Sequence, residues 1–145
     1  MWGCGQTSRA VKKIDYITIA TTGNATDFGN ISSVSQHECG ANSDTRALHC
    51  LGEVSDQSVN TVEFCTIATT GNLTDFGDRT VHSYPPGSMS STTRMVVGGG
   101  NSTPAGVLNV IDFVEMVTTG NFVDFGDLVE GRSACSGTGS RTRGI

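Results

Sequence analysis

One nine-residue phrase governs what this chain can fold into. TTGNATDFG at residues 21–29 returns as TTGNLTDFG at 69–77 and, altered, as TTGNFVDFG at 118–126. Thr21 and Thr69 are 48 residues apart, Thr69 and Thr118 are 49 apart, and the same steps relate Arg46, Arg94 and Arg143. A fixed period across the whole chain is the signature of a repeat architecture, in which each copy is one supersecondary unit.

A second shared element precedes each phrase. It is an aliphatic residue, an acid and an aromatic: Ile14-Asp15-Tyr16, Val62-Glu63-Phe64 and Ile111-Asp112-Phe113. A third follows each Arg, where an apolar run meets glycine, clearest in RMVVGGG at 94–100. IDYITIATT, VEFCTIATT and IDFVEMVTT are β-branched and aromatic and apolar on both faces, so they read as strands rather than amphipathic helices. Each stops at Gly-Asn, a pair that tolerates positive φ, so each phrase is expected to be a hairpin: a strand, a turn at Gly23-Asn24, and a returning strand carrying Phe28. Phe28, Phe76 and Phe125 are the expected core anchors. With the apolar-to-glycine strand and a weaker one around 34–40, 83–89 and 132–138, each repeat supplies about four strands.

The composition agrees with an all-β reading: 36% hydrophobic residues, 19 glycines and 3 prolines are too apolar for disorder and too irregular for collagen. The net charge of −5 argues against nucleic acid as a partner, since displacing counterions from phosphate needs a basic footprint. Six of the nine basic residues, Arg9, Lys12, Lys13, Arg132, Arg141 and Arg143, cluster towards the two ends. No secretory signal or stretch of about 20 apolar residues is evident, so the chain is expected to be soluble, with no membrane partner. Cys4, Cys39, Cys50, Cys65 and Cys135 are odd in number and follow no metal-ribbon spacing, so free buried thiols are expected.

Glycine-ended strand, aliphatic-acid-aromatic triplet, then a bulky aromatic beside Gly and Asp, at a period near that of kelch repeats, resembles a kelch-type β-propeller blade. The phrase is similar to kelch-like repeats encoded by bacteriophages, marine ones among them. The resemblance covers essentially the whole chain. It departs from the family where Phe28, Phe76 and Phe125 stand for the usual tryptophan, and where the glycine cluster is intact only at Gly98-Gly99-Gly100. Copies one and two have Gly3-Cys4-Gly5 and Cys50-Leu51-Gly52 instead, which puts close backbone approach there in doubt.

What the resemblance implies is an all-β kelch-like β-propeller. Residues 1–145 would form a single repeat domain, with repeats of about 1–46, 47–94 and 95–145. The last residues, RTRGI, reach the point where the third apolar-to-glycine strand begins, and MWGCG looks like the continuation of such a strand, so one blade would be shared between the termini. Propellers have 4–8 blades, so three would form an arc, closed as six blades by a homodimer. The alternative is a β-trefoil or β-prism monomer, closed three-fold within one chain.

The sequence shows no catalytic set, and the chain is expected not to be an enzyme or to need a cofactor. DFG is unaccompanied by the other kinase elements, and GCGQTS at 3–8 and GGGNST at 98–103 lack the Gly-Lys pair of a phosphate loop. His37, Cys39, His49 and Cys50 are metal-type residues, but the other copies lack them and buried thiols are the plainer reading. Asp27, Asp75 and Asp124 fit no calcium loop and are expected to cap the hairpins. Asn24 and Asn72 begin glycosylation sequons but read as turn residues. Arg46, Arg94 and Arg143 recur at one blade position and suit an acidic ligand, or else pair with a repeated acid such as Asp15 between blades.

Residues 31–45, 53–60, 79–92 and 101–109 differ freely between copies, as ligand-facing loops on a rigid frame do. His37, Glu38, Asn42, His82, Tyr84 and Asn101 are the candidate ligand-binding residues there; mere absence of constraint would produce the same divergence. The expected function is a binding or structural module associated with a phage virion and made in the host cytoplasm. Its expected partners are a second copy and a host-surface glycan or a protein, including other virion proteins. A purely structural virion part and a lectin-like trefoil are the alternatives.

Overall fold

A computed structural model describes the backbone of Trp2–Gly3 and residues 11–145. Among these residues the structure is all β, without a helix. Three antiparallel sheets follow one another along the chain. Sheet one contains β1 (Trp2–Gly3), β2 (Lys13–Tyr16) and β3 (Thr26–Asn30) in that order. Sheet two contains β4 (Cys39–Asn42), β5 (Arg46–Cys50), β8 (Thr61–Thr66) and β9 (Thr74–Asp78). Sheet three contains β10 (Gly87–Ser90), β11 (Arg94–Gly98), β14 (Val110–Glu115) and β15 (Val123–Asp127). Two small ribbons, β6 (Glu53–Val54) with β7 (Gln57–Ser58) and β12 (Asn101–Ser102) with β13 (Gly106–Val107), lie in the second and third repeats and were not expected.

The expected hairpins form, but their strands are shorter than the apolar runs. β2, β8 and β14 stop at Tyr16, Thr66 and Glu115 rather than running on to Gly-Asn. In the second and third copies the Gly-Asn turn of the phrase bonds instead to the preceding sheet. The weak fourth strand is displaced towards the C-terminus, to 39–42 and 87–90. In the third copy it is reduced to a Gly139–Gly144 bridge.

The Asp-Phe-Gly half has a different task. In all three hairpins the register shifts within the aliphatic-acid pair, so Phe28, Phe76 and Phe125 each lie in a β-bulge. A bulge bends the strand and re-aims one side chain. Here it directs the phenylalanine out of the sheet, edge-on to the aromatic of the triplet: Tyr16–Phe28, Phe64–Phe76 and Phe113–Phe125 lie 5.8, 5.6 and 5.8 Å apart at near-right angles.

The sheets stack face to face, and the core lies between them. Ile14, Phe28, Cys65 and Leu73 fill the space between sheets one and two; Leu48, Cys50, Phe76, Met95, Val97 and Phe122 fill that between two and three. Among the described residues nothing packs against the third face as the next sheet. Phe28 and Phe76 are 3% and 2% exposed, but Phe125 is 57% exposed, which corrects its expected role as an anchor within the chain. Among the described residues sheet one, at the other end, has no strand equivalent to β4 and β10. The described residues form an open stack, so neither a closed propeller nor three-fold closure within one chain is present among them.

Gly52 answers the doubt about close approach in the second copy: a Cβ there would collide with the His37 carbonyl. In the third, a Cβ on Gly99 would strike the Arg132 carbonyl. The corresponding Cys4 and Gly5 lie outside the described residues, as does Arg9.

Candidate functional site

Each joint between sheets is sealed by the repeated phrase. Gly71 N–H donates to the Phe28 carbonyl at 2.8 Å and Leu73 N–H to the Asn30 carbonyl at 2.9 Å, while Asn72 Oδ1 accepts the Asn30 N–H at 3.0 Å. The next joint repeats this. Gly120 and Phe122 donate to Phe76 and Asp78, both at 2.8 Å, and Asn121 Oδ1 accepts the Asp78 N–H at 3.0 Å. Gly29 and Gly77, at φ 151° and 145°, lie under these clasps, and a Cβ on either would enter a carbonyl of the following Gly-Asn turn. The Asn residues read as simple turn formers therefore join sheets. The signal for it was the phrase itself.

The second joint also buries an ion pair. Asp112 is fully buried and accepts from Arg79 Nε and Nη2 at 3.1 and 3.0 Å and from Thr80 N and Oγ1 at 3.0 and 2.9 Å. Arg79 Nη1 also reaches Ser83 Oγ. Every remaining lone pair and proton matters here, because burying two charges is offset only when both are fully hydrogen-bonded. At the first joint Glu63 keeps the acid's place, accepting the Ser32 N–H at 3.2–3.3 Å, but Ile31 stands where Arg79 does.

The candidate loop residues divide between two places. His37, His82, Tyr84 and Asn101 come together at the ribbon end of sheets two and three. His37 stacks on Tyr84 at 5.7 Å and contacts Glu53 through Nδ1 at 3.1 Å; Tyr84 and Asn101 exchange backbone bonds at 2.9 and 2.7 Å. His82 Nδ1 lies 3.2 Å from the Ser58 carbonyl, and Ser58 Oγ accepts the Thr103 N–H at 3.3 Å, so both ribbons enter the same surface. An aromatic ring, two exposed imidazoles and a buried carboxylate give that surface a stacking platform and mixed donors and acceptors.

Glu38 and Asn42 instead border a cavity of about 610 Å³ between sheets one and two, with Ile14, Tyr16, Ala41 and His49. Burial pushes the His49 imidazole below its ordinary pKa, against the opposing pull of Glu38 and Glu63. Glu38 accepts from Ser35 Oγ at 2.8 Å, and the Asn42 amide donates to the Ser43 carbonyl.

The arginines lie at the far end of β5 and β11 from the ribbons. Arg94 donates to Glu115 Oε1 at 2.6 and 2.8 Å and covers the Phe113 ring at 4.4 Å; Arg46 covers Phe64 at 4.8 Å and donates to the Met116 carbonyl at 3.1 Å. The acid that Arg94 takes is thus across its own sheet, while the repeated acid Asp112 takes Arg79. Arg143 is exposed at the tip of a small hairpin.

Cys39 and Cys50 face one another across β4 and β5 with their thiols in hydrogen-bond contact, which lowers the pKa of Cys39 and raises that of Cys50. Cys39, Cys50, Cys65 and Cys135 are free. His37 contacts Glu53, and among the described residues no group of three or more His, Cys, Asp or Glu side chains is placed to hold a metal ion. Asp27 binds Lys13 at 2.7 Å, an exposed pair across the hairpin. No helix among the described residues is long and apolar enough to cross a membrane. No protein-family model matches the chain, and no curated protein matches it.

Proposed function

We propose that this chain is a non-enzymatic binding module built as half of a six-bladed, kelch-like propeller, and that it serves on a phage virion to recognise a host-surface glycan. The observation that carries the reading is the surface at the ribbon end, where His37, Tyr84, His82 and Asn101 meet on loops that differ from copy to copy while the clasped hairpins beneath repeat. A rigid frame with divergent loops suits recognition, and copies of a weak site on one ring gain avidity without new contacts. The kelch-like phrase supports the propeller and the phage association. Two chains supply six blades, within the range of closed propellers.

The test is binding of the chain to a panel of bacterial surface polysaccharides. The expected result is saturable binding to at least one glycan, lost in Tyr84→Ala and in His37→Ala. Absence of binding across the panel, together with incorporation into purified particles, would replace recognition with a purely structural virion role.

A further inference from the structure

The stack ends in two unlike surfaces that fit each other by the rules of its two internal joints. At the tail, Phe125 and Asp127 occupy the places of Phe76 and Asp78, yet among the described residues no Gly-Asn turn bonds to them. Gly126 shows the consequence: a Cβ would collide at Gly29 and Gly77, but at Gly126 it would meet nothing within 4 Å. At the head, Gly23, Asn24 and Ala25 occupy the places of Gly71, Asn72 and Leu73 and are exposed.

The strands give the same fit in finer detail. β5 and β11 each pair along five residues with the next strand, whereas β1 pairs with β2 only through Trp2–Asp15 and Gly3–Ile14. Those pairs match the last two of β11, Val97–Asp112 and Gly98–Ile111, so among the described residues no strand partner lies beside Tyr16, Ile17 and Thr18. Residues 138–145 form a hairpin that supplies one. Thr138 and Ile145 exchange backbone bonds at 2.9 Å, Gly139 bridges Gly144, and Ser140 Oγ accepts from Thr142 and Arg143 as Ser91 Oγ does from Thr93 and Arg94. This places Arg143, Gly144 and Ile145 at the positions of Arg94, Met95 and Val96. Counting back from Trp2, Met1 falls at the place of Val96 as Ile145 does, so Arg-Gly-Ile followed by Trp-Gly matches the five-residue length of RMVVG with Ile145 standing in place of Met1.

We infer that the head of this chain takes the tail of a second copy, with Arg143–Ile145 of that copy inserted beside Tyr16 as an added strand and Asn24 clasping the Asp127 N–H of that copy. This rests on the propeller reading above. Ile145 is 81% exposed, and in the joint it takes the place of Leu48, which is 2% exposed between sheets two and three. It would enter the 610 Å³ cavity between sheets one and two, where among the described residues sheet one has no strand equivalent to β4. Head-to-tail contacts make a ring when the rotation closes and a filament when it does not. One copy has too few blades and three would have nine, so two copies alone fall within the 4–8 blades of closed propellers.

Sedimentation equilibrium of the full chain, Ile145→Asp and Phe125→Arg tests this, with hydrogen exchange of each. Both side chains are exposed in the single chain, so neither change disturbs its core. The expected result is a dimer whose dissociation constant rises about tenfold or more in each variant, equivalent to about 1.4 kcal/mol or more. Exchange at Ile17, Thr18 and Ala25 should be slowed in the dimer and fast in the variants. A dimer insensitive to both changes would overturn the joint while leaving a ring closed in another way. A monomer or an open polymer would overturn the joint and the six-bladed ring together, leaving the glycan result to stand or fall separately.

Discussion

Asn121 Oδ1 accepts the backbone N–H of Asp78 at 3.0 Å across the joint between the second and third sheets. Asn72 does the same for Asn30 at the first joint. One short side chain thereby satisfies an edge strand that would otherwise present open backbone groups. Asn121→Ala should destabilise the chain by about 1–2 kcal/mol, the cost of a lost hydrogen bond and a stranded donor. Urea unfolding measures it. Asn121→Asp, which keeps the acceptor, should recover part of the loss.

The three bulge phenylalanines should not behave alike. Phe76→Ala removes a ring from a filled core and should cost about 3–5 kcal/mol. Phe125→Ala should cost the single chain little and act instead through association, so its effect on the melting temperature should grow with protein concentration over the range where wild type assembles. Thermal melts at two concentrations separate the cases.

The Arg79–Asp112 pair predicts a strongly non-additive cycle. Asp112→Ala strands a buried guanidinium and should cost about 3–5 kcal/mol, as buried pairs do when one partner is removed. Arg79→Met with Asp112→Leu should cost less than either single change. The first joint already works without the pair, since Ile31 stands in the arginine's place.

Acid should weaken the fold through His49. Burial holds its imidazole below the ordinary value, so the unfolded chain binds the proton more readily than the folded one. Its contribution is therefore present above the ordinary imidazole range and is lost as pH falls from that range through the lowered value. In His49→Phe that part of the pH dependence should vanish, as chemical unfolding at pH 7 and pH 5 will show.

Much of the architecture was legible in the sequence because the period is explicit and the strand-forming residues are dense. The Ile-Asp-Tyr and Asp-Phe-Gly segments gave all-β structure, hairpins and the burial of Phe28 and Phe76. What misled was local chemistry that serves a neighbour: Thr-Thr-Gly-Asn looked like the end of a strand and a turn, and only the stacked sheets reveal Asn72 and Asn121 as clasps. Phe125 shares the motif but not the burial, because burial depends on what lies against the face. Of the candidate site, His37, His82, Tyr84 and Asn101 gather on one surface, whereas Glu38 and Asn42 border the cavity and the arginines lie at the opposite strand ends. Position within a repeat could not separate these groups, since the added ribbons at 53–58 and 101–107 decide which loops meet.

The proposed joint requires two copies to complete one another. Native mass spectrometry of the unmodified 145-residue chain over a hundredfold dilution tests it most directly. A single species at twice 15.1 kDa that persists on dilution through the micromolar range is the expected result. A species at 15.1 kDa throughout that range would contradict it.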